Sequence, residues 1–245
     1  MNKLSRSVVA ALLFTGALAL GSCGGDTTSN ASATVFPSGT PTTVGTGTGP
    51  SGQVVLVRLG TDNLVESDPP LYRKTWVAIV TDTAGNPVSG ATVIFSMRSG
   101  TPLNPGRYVK GFYVLPPPAP APQVWNQFVT VICPNEDTNF NSILDPGEDV
   151  NGNGLLEPPG VVDVTISGSD VSDASGIVRT TLTYPKNYGG WAELTLQAIT
   201  SNAGATPASA TFFLERLAAD FSDLGVGPPG DPSPFGVSGS CNDTL

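Results

Sequence analysis

No window of this sequence sustains an apolar repeat of 3.6 residues, and that absence constrains the fold more than any other feature. Glycine occurs 29 times and proline 23 times in 245 residues. Proline removes an N–H and clashes with the preceding helical turn, and glycine carries a high conformational entropy. Between them lie short runs in which apolar and polar residues alternate, the pattern of half-buried strands. The runs are Gln53–Leu59, Thr75–Thr81, Ala91–Met97, Arg107–Leu115, Val124–Ile132, Val161–Ser167, Gly176–Tyr184, Trp191–Thr200 and Ala208–Leu214. In the second run Trp76, Ala78 and Val80 share a face, and in the third Val93 and Phe95 do. Asp82–Pro87 (DTAGNP) reads as a turn, with Gly85 and Asn86 suited to positive φ. Pro116–Pro122 (PPPAPAP) reads as a stiff extended connector. The expected fold class is all-β, a sandwich.

The two ends differ from this middle. Residues 1–22 place Lys3 and Arg6 before the apolar run VVAALLFTGALAL, which has export length and is too short to span a membrane. Leu20-Gly21-Ser22-Cys23 resembles the lipobox of bacterial lipoproteins. The resemblance implies that residues 1–22 are removed and that Cys23 carries acyl chains such as palmitate, anchoring the chain to a membrane. It also implies a cell-envelope location at the outer membrane, because Gly24 stands where an Asp commonly retains such proteins at the inner one. Residues 23–52 are Gly, Ser, Thr and Pro with almost no charge, the composition of a flexible tether. Residues 53–216 hold the strand runs, and residues 217–245 form a Pro- and Gly-rich tail. With Cys23 acylated, Cys133 and Cys241 remain as an even pair in an oxidising compartment and are expected to form a disulfide.

Residues 133–160 interrupt the strands with CPNEDTNFNSILDPGEDVNGNGLLEPPG. The stretch holds six of the twenty acidic residues, Glu136, Asp137, Asp145, Glu148, Asp149 and Glu157, and no basic one. Lys and Arg are absent from the whole span 111–178. The spacing resembles the calcium loop of EF-hand and dockerin type, twice over. In a twelve-residue register, Asp137, Asn139, Asn141, Asp145 and Glu148 fall at positions 1, 3, 5, 9 and 12, with Ile143 at the position that offers a main-chain carbonyl. Asp149, Asn151 and Asn153 begin a second register, with Leu155 at its carbonyl position and Glu157 at position 9. The resemblance implies calcium as cofactor, held by alternate oxygens on a curled loop. Two departures stand out. Ser142 replaces the usual Gly at position 6 of the first copy, and Gly160 replaces the closing carboxylate of the second, so the second loop is expected to bind less well. Pro134, Pro146, Pro158 and Pro159 forbid the flanking helices of a calcium sensor.

A further resemblance runs from about Gln53 to Leu214. Val80–Gly100 (VTDTAGNPVSGATVIFSMRSG) is similar to bacterial immunoglobulin-like domains of the invasin and intimin type. Asp82, Gly85, Asn86, Pro87, Val88, Gly90, Val93 and Phe95 match that family's turn and following strand. DASGIVRTTL and GGWAELTLQA match its later half. The resemblance implies an immunoglobulin-like β-sandwich with a long insertion carrying the calcium loops.

The chain contains no histidine, which removes imidazole bases, serine triads with histidine and His-ligated zinc. No Gly-rich phosphate loop opens a helix. The formal charge of −9 argues against nucleic acid as a partner. No catalytic residue is assigned, and an enzyme is not expected. What remains is a structural or adhesive envelope protein with a protein or polysaccharide partner. The alternative is a polysaccharide-binding module that uses exposed aromatics such as Tyr113, Trp125, Tyr188 or Trp191, although strand pattern also places Trp76 and Trp191 in the core.

Overall fold

The computed structural model describes residues 55–117, 123–200, 205 and 207–243. The leader, the lipidation residue Cys23 and the tether lie outside the described residues. Nine strands follow in order: β1 Val55–Asp68, β2 Leu71–Asp82, β3 Val93–Arg98, β4 Arg107–Val114, β5 Asn126–Pro134, β6 Asp163–Ile166, β7 Ile177–Pro185, β8 Ala192–Thr200 and β9 Ala208–Phe213. They form two antiparallel sheets.

One sheet has the order β1-β2-β7-β6. In the other, β8 pairs with β9 on one edge and with β3 on the opposite edge, from Thr195 to Thr200. β4 reaches β8 only at Arg107 and Tyr108, and β5 pairs outside β4. Without the β4–β5 hairpin, four strands face three in the immunoglobulin-type order. The chain is thus an all-β sandwich, with a hairpin and residues 135–162 added between β3 and β6.

Alternation sets the register. The inward residues of β2 and β7 are buried at every second position, so a one-residue slip would turn them all to solvent. Val57, Trp76, Ala78, Val80, Val93, Phe95, Val178, Leu182, Leu196 and Ala198 form the core between the sheets. Val93, Phe95, Trp76, Ala78 and Val80 are buried, as their spacing predicts. A second core lies toward the hairpin, built on Tyr72, Tyr108, Tyr184, Trp191, Leu214 and Phe235.

β1 and β2 extend past the expected runs and meet as one hairpin at Pro69–Pro70, because the buried Lys74 breaks the apolar pattern of β2. In the DTAGNP turn only Gly85 takes a positive φ, +87°. Asn86 does not, because Asp82 shapes the turn: its Oδ1 accepts the N–H of Ala84 at 2.9 Å and of Asn86 at 2.8 Å, and its Oδ2 accepts the Asn86 amide at 3.0 Å. Residues 215–243 are strapped down, as the pairing expected for Cys133 and Cys241 implies. They return across the hairpin and are joined to it by a Cys133–Cys241 disulfide, at a sequence separation of 108. Gly176, which opens β7, has φ +73°, and a Cβ there would come within 2.3 Å of the Val80 carbonyl oxygen.

Candidate cation loops

Residues 137–160 form two loops with the same backbone and the same hydrogen bonds, twelve residues apart. In the first, Asp137 Oδ1 accepts the N–H of Asn141 and Oδ2 that of Ser142, each at 3.0 Å. In the second, Asp149 Oδ1 accepts the N–H of Asn153 and Oδ2 that of Gly154, each at 3.0 Å. Asn139 Oδ1 accepts from Asn141 N–H, and Asn151 Oδ1 from Asn153 N–H. Asn141 Oδ1 accepts from Ile143 N–H at 2.7 Å, and Asn153 Oδ1 from Leu155 N–H at 2.8 Å. Each Asx oxygen thus stiffens the chain two residues on, which is what curls it.

The positive φ values repeat as well. Phe140 and Ser142 lie at +60° and +63°, and Gly152 and Gly154 at +75° and +78°. The first loop adopts with two side-chain-bearing residues the conformation that the second adopts with two glycines. Ile143 and Leu155 leave their side chains in solvent, consistent with a role limited to their main chain.

Position 9 closes on the asparagines in both loops. Asp145 Oδ2 accepts the amides of Asn139 and Asn141 at 2.7 Å each. Glu157 accepts the amide of Asn151 at 2.5 Å and that of Asn153 at 2.9 Å. The two Asn amides hold the Asp145 carboxyl below the usual carboxylate range.

The first loop is closed by its own twelfth residue and the second from outside both registers. Glu148, which directly precedes the second loop, closes the first: Oε1 accepts the N–H of Thr138 at 2.9 Å and Oε2 that of Asp145 at 3.1 Å. Glu136, which directly precedes the first loop, takes the same place in the second: Oε1 accepts the N–H of Val150 at 3.2 Å and Oε2 that of Glu157 at 3.1 Å. Thr138 and Val150 are second residues of their loops, and Asp145 and Glu157 are ninth residues. The second loop therefore has a carboxylate, that of Glu136, where its own sequence offers Gly160. Sequence reasoning missed Glu136 as a site residue, although Glu-Asp-x-Asn-x-Asn recurs at 136 and 148.

Burial sets the electrostatics. Asp137 is fully buried, and Glu136, Glu148 and Glu157 are 2%, 5% and 6% exposed. Among the described residues no ion pair reaches any of these four. Arg98 touches the insertion only at the Phe140 carbonyl, 3.2 Å away. Desolvation, reinforced by Glu157, pushes the Glu136 carboxyl up. Backbone N–H bonds, led by that of Asp145, hold the Glu148 carboxyl down. Among the described residues no three acidic side chains converge on a single metal-holding point. Oxygens for a cation come instead as a mixture of carboxylates, Asn carbonyls and main chain, the donor set of a hard cation.

The sandwich supports this insertion. Ser99, just past β3, donates to Asp137 Oδ2 at 2.7 Å. The Tyr108 hydroxyl of β4 faces Glu157 and Asn151, and burial together with Glu136 and Glu157 raises its pKa strongly. Of the aromatics proposed as an exposed platform, Tyr113 and Trp191 are buried, while Trp125 and Tyr188 are half-buried.

Compared with protein-family models, curated proteins and solved structures, the chain matches none of them.

Proposed function

We propose that this chain is a lipid-anchored cell-envelope protein whose immunoglobulin-like sandwich is stabilised by a pair of calcium loops and serves a structural or adhesive role toward a protein or polysaccharide partner. The observation that carries the calcium reading is the burial of Glu136, Asp137, Glu148 and Glu157 without a cationic partner. A buried carboxylate left uncompensated is costly, and its N–H hydrogen bonds disperse charge without neutralising it. A divalent cation that takes six to eight oxygens supplies the missing charge and suits the donors present.

The first loop would hold its ion with Asp137, Asn139, Asn141, the Ile143 carbonyl, Asp145 and Glu148. The second would use Asp149, Asn151, Asn153, the Leu155 carbonyl and Glu157, and would be closed by Glu136. Each Asn Oδ1 that accepts one N–H retains a second lone pair for the ion. The role is structural rather than sensory, because no helix pair flanks the loops to swing open. Anchoring rests on the lipobox resemblance at Cys23, and the adhesive role on the resemblance of the sandwich to invasin-type domains.

Thermal unfolding with calcium and with chelator tests the reading. Calcium at a hundred times its dissociation constant should add ~2.7 kcal/mol of stability. It should do much less for a variant carrying both Asp137→Ala and Glu148→Ala. An unchanged midpoint in chelator, with no heat of binding at millimolar calcium, would reduce the insertion to an acidic turn.

A further inference from the structure

We infer that residues 215–243 are a redox latch: the Cys133–Cys241 bridge shuts them over the β4–β5 hairpin, and its reduction opens this lobe while the two-sheet sandwich stays folded. The inference does not depend on calcium. It starts from the edge of β4. That strand leaves β8 after Tyr108, and beyond the Val109 N–H, which the Trp191 carbonyl accepts at 2.8 Å, the latch satisfies the edge from the Val109 carbonyl to the Tyr113 N–H. Gly111 N–H donates to the Gly236 carbonyl and Ser233 N–H to the Gly111 carbonyl, both at 2.9 Å. Ser233 Oγ donates to the Val109 carbonyl at 2.7 Å, and Tyr113 N–H to Asp231 Oδ1 at 2.9 Å.

Charge tells the same story. Lys74, Lys110 and Lys186 are 2%, 0% and 8% exposed, and each meets a carboxylate of the latch. The pairs are Lys74–Glu215 at 2.7 Å, Lys110–Asp243 at 2.8 Å and Lys186–Asp220 at 3.3 Å. A buried ammonium deprived of its anion is strongly unfavourable, so the latch orders together with the hairpin through Lys110 and with the ends of β2 and β7 through Lys74 and Lys186.

The two cores explain why opening stays local. The core between the sheets draws on nothing beyond Phe212. The second core takes in Leu217, Phe221, Phe235 and Cys241. Loss of the latch therefore strips the second core and leaves the first intact, the condition for a sub-global opening. Cys133 is fully buried and Cys241 partly exposed, so a thiolate reaches the Cys241 sulfur. Attack by a dithiol breaks the S–S bond and forms a mixed disulfide, with the Cys133 thiolate as leaving group, which then takes up a proton. The dithiol's second thiolate then displaces Cys241. Two electrons pass to the protein, which ends with two thiols, and the dithiol ends as its cyclic disulfide.

Hydrogen exchange read by mass spectrometry on the full chain, with and without a dithiol reductant, tests the latch. Amides of β4, β5, residues 215–243 and the second-core ends of β2 and β7 (residues 71–74 and 183–185) should exchange about tenfold faster or more on reduction, while those of β3 and of residues 76–81, 177–182 and 195–200 keep their rates. Cys241→Ser without reductant should reproduce that map. A reduced protein with unchanged exchange throughout would overturn the inference, and so would one in which residues 76–81 and 177–182 lose protection together with the hairpin. Asp243→Asn, which keeps the bridge, should leave the lobe closed to exchange until the dithiol is added. Opening of this variant in its oxidised form would show that the ion pair, and not the bridge, controls the latch.

Discussion

Glu136 and Glu148 are twins in sequence context, each standing directly before an Asp-x-Asn-x-Asn run, yet Glu148 closes the loop it ends and Glu136 closes the loop it does not adjoin. The place of Glu136 makes an unusual prediction. Glu136→Gln lies outside both twelve-residue registers but should weaken the second loop, whereas Glu148→Gln should weaken the first. Calorimetric titration with calcium should find two sites in the wild type. Each variant should lose about tenfold or more in affinity at one site, since affinity follows the charge count of the ligands. Retention of both sites by Glu136→Gln would refute closure of the second loop by Glu136. Ser142 offers a second check. Its φ of +63° belongs to the left-handed region that costs a side-chain-bearing residue roughly 1–2 kcal/mol. Glycine relieves this while adding chain entropy to the unfolded state. Ser142→Gly should therefore raise the unfolding midpoint modestly, by the equivalent of about 0.5–1 kcal/mol. Gly154 already occupies the matching place in the second loop.

Among the elements, strands were legible and their extensions were not. β2, β7 and β8 announce themselves because one face of each is buried and the other is not. Residues 60–68 and 71–74 carry Asp62, Asn63, Arg73 and Lys74, and strand pairing overrides that polarity by giving Lys74 a latch carboxylate. The latch was legible only as a tail that Cys241 pins, and its contacts were not, for a related reason. It makes no strand, so it needs no alternation, and its partners are the edge of β4 and three buried ammoniums distant in sequence. Gly176 is an element-scale test of the sandwich itself. Its positive φ and the Val80 carbonyl 2.3 Å from any Cβ leave no room for a side chain. Gly176→Ala should cost on the order of 2–3 kcal/mol from backbone strain and displacement of the β2–β7 junction. Chemical denaturation should show this as a lower midpoint with an unchanged slope.

At the scale of the whole molecule, the disulfide closes a separation of 108 residues and should contribute on the order of 4–5 kcal/mol through loop entropy. Anchoring, which the lipobox resemblance implies, is tested by Cys23→Ala: the variant should appear in the soluble fraction while wild type stays with membranes. Wild-type protein recovered free of membranes, with no acyl mass on its first peptide, would end that reading. The division between sequence and tertiary structure follows from the range of the forces involved. Local order was determined by the sequence alone: period-two burial requires strands, glycine and proline stop helices, and Asp and Asn at alternate positions curl a loop through bonds to N–H groups two to five residues on. The pairing of Cys133 with Cys241 was legible through the lipobox resemblance, which sets Cys23 aside and leaves an even pair. What only the tertiary structure decided was which distant groups share a site. Glu136 reaches Val150 and Glu157, fourteen and twenty-one residues on, because the loops fold against each other. The latch meets Lys74 and Lys110 because β2 and β4 bring these ammoniums to its path, and a buried charge selects its partner by proximity in space, which no spacing along the chain encodes.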